Sequence, residues 1–103
     1  MGMFDYVMVE MPLPEPAPPA GTEFQTKTFD PLFDRYIIKP DGRLLRRRKD
    51  VLDGGWVLGP EIEVPYHGDL EFYAYDRATG ESWDYVARFT EGRCVRIWAA
   101  EPS

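Results

Sequence analysis

The chain has 103 residues, with 12 Lys and Arg against 18 Asp and Glu, for a formal net charge of −6. That is a single-domain length, and 44% hydrophobic with 15% aromatic residues excludes a disordered polymer. One cysteine, Cys94, and one histidine, His67, exclude an internal disulfide and any Cys₄, Cys₂His₂ or His₃ zinc site within one chain. No apolar run approaches the roughly 20 residues of a membrane span. No apolar stretch follows a basic start as in a signal peptide. Met1-Gly2 opens like a myristoylation site, but Tyr6 stands where serine or threonine is needed. The expectation is one soluble, cytoplasmic domain over 1–103 with no membrane contact.

Met3 to Val9, rich in Val, Tyr and Phe, predicts a short strand. A proline-rich arm follows over 12–21, holding five of the ten prolines. Proline lacks the N–H and biases its predecessor toward extended backbone, so neither helix nor central strand forms there. Phe24 to Phe29 alternates in polarity, with Phe24, Thr26 and Thr28 on one side. Asp30-Pro31-Leu32-Phe33-Asp34 reads as a turn or a single helical turn, the one helix candidate. Residues 35–39 and 43–46 then flank Pro40-Asp41-Gly42, which suits a type I turn closed by a left-handed glycine. That hairpin sets Ile38 opposite Leu44 and Ile37 opposite Leu45.

The C-terminal meander, 69–99, is the expected core. Its strands run Asp69 to Asp76, Glu81 to Thr90 and Arg93 to Ala99, joined by a four-residue loop and a Thr90-Glu91-Gly92 loop. Phe72 then faces Tyr85, Leu70 faces Ala87, Ala74 faces Trp83, Ala87 faces Val95, and Tyr85 faces Ile97. A two-residue Glu91-Gly92 loop sets Arg88 beside Val95 and inverts the last strand, so the apolar pattern selects the longer loop. The opposite face carries Glu71, Tyr73, Tyr75, Asp84, Val86, Arg88, Cys94, Arg96 and Trp98. Tyr73, Tyr75 and Trp98 beside Arg96 are binding-hot-spot residue types. Either the proline arm or the N-terminal strand covers these rings, or they form a partner surface.

The charge is unevenly distributed. Residues 35–49 hold seven cations against Asp41 alone, a local +6, and the remainder carries −12. Arg46, Arg47, Arg48 and Lys49 invite a nucleic-acid reading through phosphate neutralisation. Alternation splits that run between two faces, and no RNP-like motif, helix-turn-helix or zinc finger accompanies it. A solvated hairpin end is the preferred reading. An acidic protein partner or self-association comes next, and nucleic acid is a minority reading.

Several chemical constellations are weak. His67-Gly68-Asp69 offers the one acid–base candidate, but a turn role suits it better. Cys94 has arginine neighbours that lower a thiol pKa. Glu61, Glu63, Asp69 and Glu71 lack the dense spacing of a calcium loop. No catalytic residue, metal site or cofactor is assigned.

Met3-Phe4-Asp5-Tyr6-Val7, Pro12-Leu13-Pro14, Phe24-Gln25-Thr26-Lys27, Asp41-Gly42-Arg43-Leu44, His67-Gly68-Asp69-Leu70 and Ala87-Arg88-Phe89-Thr90 occur in this order. Together they resemble an uncharacterised family of small bacterial and phage proteins. The resemblance implies a natural start at Met3 and brings no activity or catalytic residues with it. The reading is an all-β domain, a small antiparallel sheet curled toward a barrel or sandwich. Its expected function is non-catalytic protein binding by an accessory or regulatory protein, through Tyr73, Tyr75, Trp98, Arg96, Arg46, Arg47, Arg48 and Lys49. The alternatives are nucleic-acid binding or phage anti-defence through the basic hairpin, and, third, an enzyme using His67.

Overall fold

The computed structural model describes residues 4–15, 17–19, 21–29, 34–52 and 54–100; Asp30 to Phe33, the expected turn or helical turn, lie outside this set. The described chain is all-β with no helix. Its strands are β1 (Asp5–Val9), β2 (Phe24–Thr26), β3 (Arg35–Ile38), β4 (Leu44–Arg47), β5 (Lys49–Leu52), β6 (Gly55–Leu58), β7 (Ile62–Glu63), β8 (Gly68–Tyr75), β9 (Ser82–Thr90) and β10 (Arg93–Ala99). Eight of them form one sheet in the order β10-β9-β8-β2-β1-β3-β4-β7, and β5 and β6 form a separate hairpin. All pairs are antiparallel except β1 with β3.

The sheet curls without closing into a barrel, so the inner faces of its two halves meet. Val7, Phe24, Tyr36, Ile38 and Leu44 from one half pack in a single cluster with Leu70, Phe72, Tyr85, Ala87, Phe89 and Cys94 from the other. β1, β2, β3, β8 and β9 alternate buried and more accessible positions, as a sheet covered on one face requires, whereas β4 buries Leu44 and Leu45 in succession. Phe24 anchors the join, edge-on to Phe72 at 5.0 Å and to Tyr85 at 5.9 Å. A second aromatic chain runs from Tyr36 through Phe29 and Tyr66 to Phe89.

The β3–β4 hairpin has the expected register, with Ile37 opposite Leu45 and Ile38 opposite Leu44. Gly42 is left-handed at φ 92° and is used twice. Its carbonyl accepts the Cys94 N–H at 2.7 Å, and Arg43 bridges Arg93. The hairpin tip is thus fixed to the start of β10, across the width of the sheet. A Cβ at Gly42 would stand 2.9 Å from the Cys94 carbonyl oxygen, which only glycine avoids.

The β8–β9 register also matches expectation, with Leu70, Phe72 and Ala74 opposite Ala87, Tyr85 and Trp83. The β9–β10 register does not. Thr90 pairs with Arg93 and Phe89 with Cys94, so the connection is the two-residue Glu91-Gly92 turn. Both residues have positive φ, 48° and 84°, and such a turn matches the twist of the strands it joins. The strand avoids inversion through a bulge between Cys94 and Arg96, after which Ile97 faces Ala87 and Ala99 faces Tyr85. Val95 is therefore 62% exposed rather than part of the core, and Cys94 is buried at 8% rather than facing outward. Ile97 stays inside and Trp98 outside because the bulge restores parity.

The Gly42 contact yields a direct test. Gly42→Ala combines a strained backbone with a collision against Cys94, so it is expected to cost about 1–3 kcal/mol. Melting then falls by several degrees, about 4–8 °C per kcal/mol for a domain of this size. Gly80→Ala, at φ 77° with nothing within 4 Å of its Cβ, carries the backbone strain alone and loses less. Equal losses in thermal melts of the two variants contradict the close-approach argument.

Candidate functional site: the outward face of the meander

The proline arm lies on the inner side of the sheet. Met11 and Leu13 pack against the core cluster, Pro18 is buried, and the Tyr85 hydroxyl donates to the Pro14 carbonyl at 3.3 Å. Tyr85 points inward, so the arm closes over the apolar side and leaves the outward face of β8, β9 and β10 to other contacts. The arm's carbonyls and its missing N–H groups suit this role, since it needs no ladder of its own.

On that outward face the register sets four rows across the meander. Tyr75 stands beside Ser82, Tyr73 beside Asp84, Glu71 beside Val86 and Trp98, and Asp69 beside Arg88 and Arg96. Tyr75 is 63% exposed, Tyr73, Val86, Arg88 and Trp98 are half-buried, and Arg96 is exposed. Tyr73 and Trp98 lie two strands and one row apart, about 12 Å between their backbones. The Arg96 guanidinium rests over the Trp98 ring, 5.3 Å from its centre. Of the eight residues expected to bind, these four share one surface.

The other four are dispersed. Arg46 points inward and hydrogen-bonds Tyr36, while Arg47 donates to the carbonyls of Gly59 at 2.8 Å and Leu58 at 3.3 Å. Arg48 is exposed between β4 and β5. Lys49 opens β5, in the separate hairpin. The rest of the basic segment also has partners: Arg35 pairs with Glu23, Lys39 with Glu10, and Arg43 with Asp41 and Glu63. Glu23, Glu10 and Glu63 thus offset half of the +6 segment. Arg46 and Arg47 are engaged by uncharged groups, so its cations are dispersed rather than gathered on one surface among the described residues.

Gln25 is a neighbour that sequence reasoning missed. It pairs with Tyr73, bringing β2 alongside the aromatic face. Beyond that pair β2 ends, and a cleft of about 520 Å³ opens beside Tyr73 and Tyr75, bounded by Thr22, Glu23, Asp76, Arg77 and Trp83. No local signal marks this pairing, because the two segments are far apart in the chain.

His67 and Asp69 do not form a dyad. Asp69 Oδ1 lies 3.6 Å from Arg88 Nη1, and Arg88 Nη2 lies 3.2 Å from His67 Nε2. The Glu91 N–H points at His67 Nδ1 at 3.3 Å. The imidazole therefore fastens the β9–β10 turn to the start of β8, with Arg88 between it and the carboxylate. Among the described residues, no three of His, Cys, Asp and Glu gather around one point, and no helix is long and apolar enough to cross a membrane. No family model matches the chain, and neither a curated protein nor a solved structure matches it.

Burial pushes the Cys94 thiol above its ordinary 9.0. Burial likewise raises Tyr36, Tyr66 and Tyr85 above 10.0, and nearby Asp5, Asp69 and Glu15 respectively add to the rise. The arginine neighbours of Cys94 therefore do not make it a thiolate. A thiol reagent at neutral pH is expected to label it slowly in the native protein and promptly in denaturant. Fast native labelling contradicts its burial. The same shifts fix an alkaline limit. A group whose pKa is higher folded than unfolded contributes stability that is present below its unfolded pKa and lost as pH rises through the folded one. Urea midpoints are expected to decline above about pH 9 as these four groups ionise, and a midpoint unchanged at about pH 10.5 contradicts it.

Proposed function

We propose that the protein is a non-catalytic, protein-binding accessory or regulatory protein whose contact surface is the outward face carrying Tyr73, Tyr75, Trp98 and Arg96. One observation carries this reading: the chain's own arm packs on the inner side, with Met11 and Leu13 against the core cluster and the Pro14 carbonyl on the Tyr85 hydroxyl, leaving Tyr75 63% exposed beside two further rings. Tyrosine, tryptophan and arginine concentrated on one patch are the residue types that dominate protein contacts. A bacterial or phage origin and a cytoplasmic setting belong to the same proposal, supported by the motif resemblance and the one free cysteine. Nucleic-acid binding draws less support, because Arg46 and Arg47 are engaged within the fold.

The test places a photo-crosslinking amino acid at Tyr75, and separately at exposed Pro60 away from this face, in a lysate of the native source. An adduct is expected from position 75 and not from 60, reduced about tenfold or more by Trp98→Ala, as for a residue worth at least 1.4 kcal/mol. Equal adducts from both positions, or an adduct indifferent to Trp98→Ala, overturn the assignment.

A further inference from the structure

We propose that the outer edge of β10, the terminal strand among the described residues, receives the partner's chain, as an extended segment with acidic residues that adds to the sheet as its next strand. This rests on the protein-binding reading above and specifies the form of the contact.

The edge is defined by hydrogen-bond parity. Ala100 donates its N–H to the Asp84 carbonyl at 2.9 Å, and Arg96 and Trp98 share its parity opposite Arg88 and Val86. Successive residues of a strand direct their backbone groups to opposite sides. The N–H and C=O of Ile97 and Ala99 therefore point away from β9. β10 is the terminal strand of the sheet. On its outer side the described residues supply the bond from Cys94 to Gly42 and the bridge from Arg93 to Arg43, both at its first turn. Beyond the bulge at Val95, the edge offers four main-chain groups in register, the arrangement that accepts an added strand.

The chemistry of the occupant follows from the side chains along this edge. Arg96 stands directly opposite Arg88, an unfavourable like-charge pair. Arg88 has Asp69 as its counter-ion. Arg96 has only the Trp98 ring as an electrostatic partner among the described residues, and exposed Arg93 adds a third positive charge nearby. An incoming strand that sets a carboxylate beside Arg96 on the outward side relieves this repulsion. Its alternate residues fall beside Ile97 on the inward side, where apolar groups suit the half-buried contact. The same segment runs alongside Trp98, which makes the edge continuous with the aromatic face.

The probe is a synthetic peptide of about seven residues alternating valine and glutamate, long enough to span an edge of this kind, with its lysine counterpart as control. Both are titrated into the isotope-labelled full chain. The glutamate peptide is expected to slow hydrogen exchange at the Ile97 and Ala99 amides about tenfold or more, while the lysine peptide does not. Arg96→Glu is expected to reverse that preference. Ala99→Pro removes an N–H that no ladder bond uses, so the fold should persist while the peptide is lost. Several results overturn the inference: unchanged amides at 97 and 99, equal binding of both peptides, full peptide binding by Ala99→Pro, or protection that grows with protein concentration without peptide, which marks a second copy. If Ala99→Pro still gives the position-75 adduct at full yield, the edge is wrong and the aromatic face stands. If the peptide orders the edge amides but position 75 gives no adduct, the face is wrong and the edge stands.

Discussion

The contact on which this architecture depends is the hydrogen bond from the Cys94 N–H to the Gly42 carbonyl, at 2.7 Å. It joins the tip of the β3–β4 hairpin to the start of β10, strands near opposite ends of one sheet. An open sheet with one apolar face must bury that face against another layer. Curling until its ends touch lets each half cover the other. Phe24 then meets Phe72 and Tyr85, and Leu44 shares a cluster with Phe89. The missing side chain at Gly42 admits the close approach. Arg93 reaches the Asp41 carbonyl at 3.4 Å beside it, so the join is made from backbone on one side and a guanidinium on the other.

That join also accounts for the bulge. Cys94 must direct its N–H away from β9 to reach Gly42, and the two-residue Glu91-Gly92 turn provides this parity. The same parity, continued, would have turned Ile97 to solvent and Trp98 into the core. One extra residue at Val95 resets the strand, at the cost of exposing a valine. The bulge separates β10 into a first part committed to the fold and a second part with an open edge. Bulges and charged residues are how sheet edges avoid indiscriminate pairing, and β10 has both, with Arg93 and Arg96 flanking Val95.

Local features of the fold were legible in the sequence and distant ones were not. Arg77-Ala78-Thr79-Gly80 fixes its hairpin because turn chemistry and apolar alternation agree there, whereas Pro40-Asp41-Gly42 fixes its register by turn chemistry, with both faces partly apolar. At Glu91-Gly92 turn chemistry and alternation disagree, and pattern alone chose a three-residue loop to keep Val95 inside. A non-glycine residue at φ 48° and a bulge solve the same problem in a way that single-strand periodicity does not encode. The pairings β2 with β8 and β1 with β3 join segments that carry no mark of each other. The aromatic face was legible because it lies within one meander. The ion pairs of the basic segment are not legible in it, because Glu10, Glu23 and Glu63, which meet Lys39, Arg35 and Arg43, arrive through the fold.

Once those pairs form, the charge along the meander is ordered from one end of its strands to the other. At the end near Tyr75 stand Asp76, Glu81 and Asp84 with Arg77 among them; at the other end stand Arg88, Arg93 and Arg96 with Asp69 and Glu91. Asp69 and Glu91 offset two of the three arginines and leave the basic end positive, while Arg77 leaves the other end negative. The rings of Tyr73 and Trp98 sit between the two poles. Across roughly the length of one strand, about 17–20 Å, the separation exceeds the Debye length of about 8 Å at physiological salt. Each pole is therefore felt separately by an approaching surface. A partner that places acids at the arginine end meets complementary charge, and the same partner turned end for end brings like charges together. The net charge of −6 hides this polarity entirely, because polarity depends on where the strands place each residue.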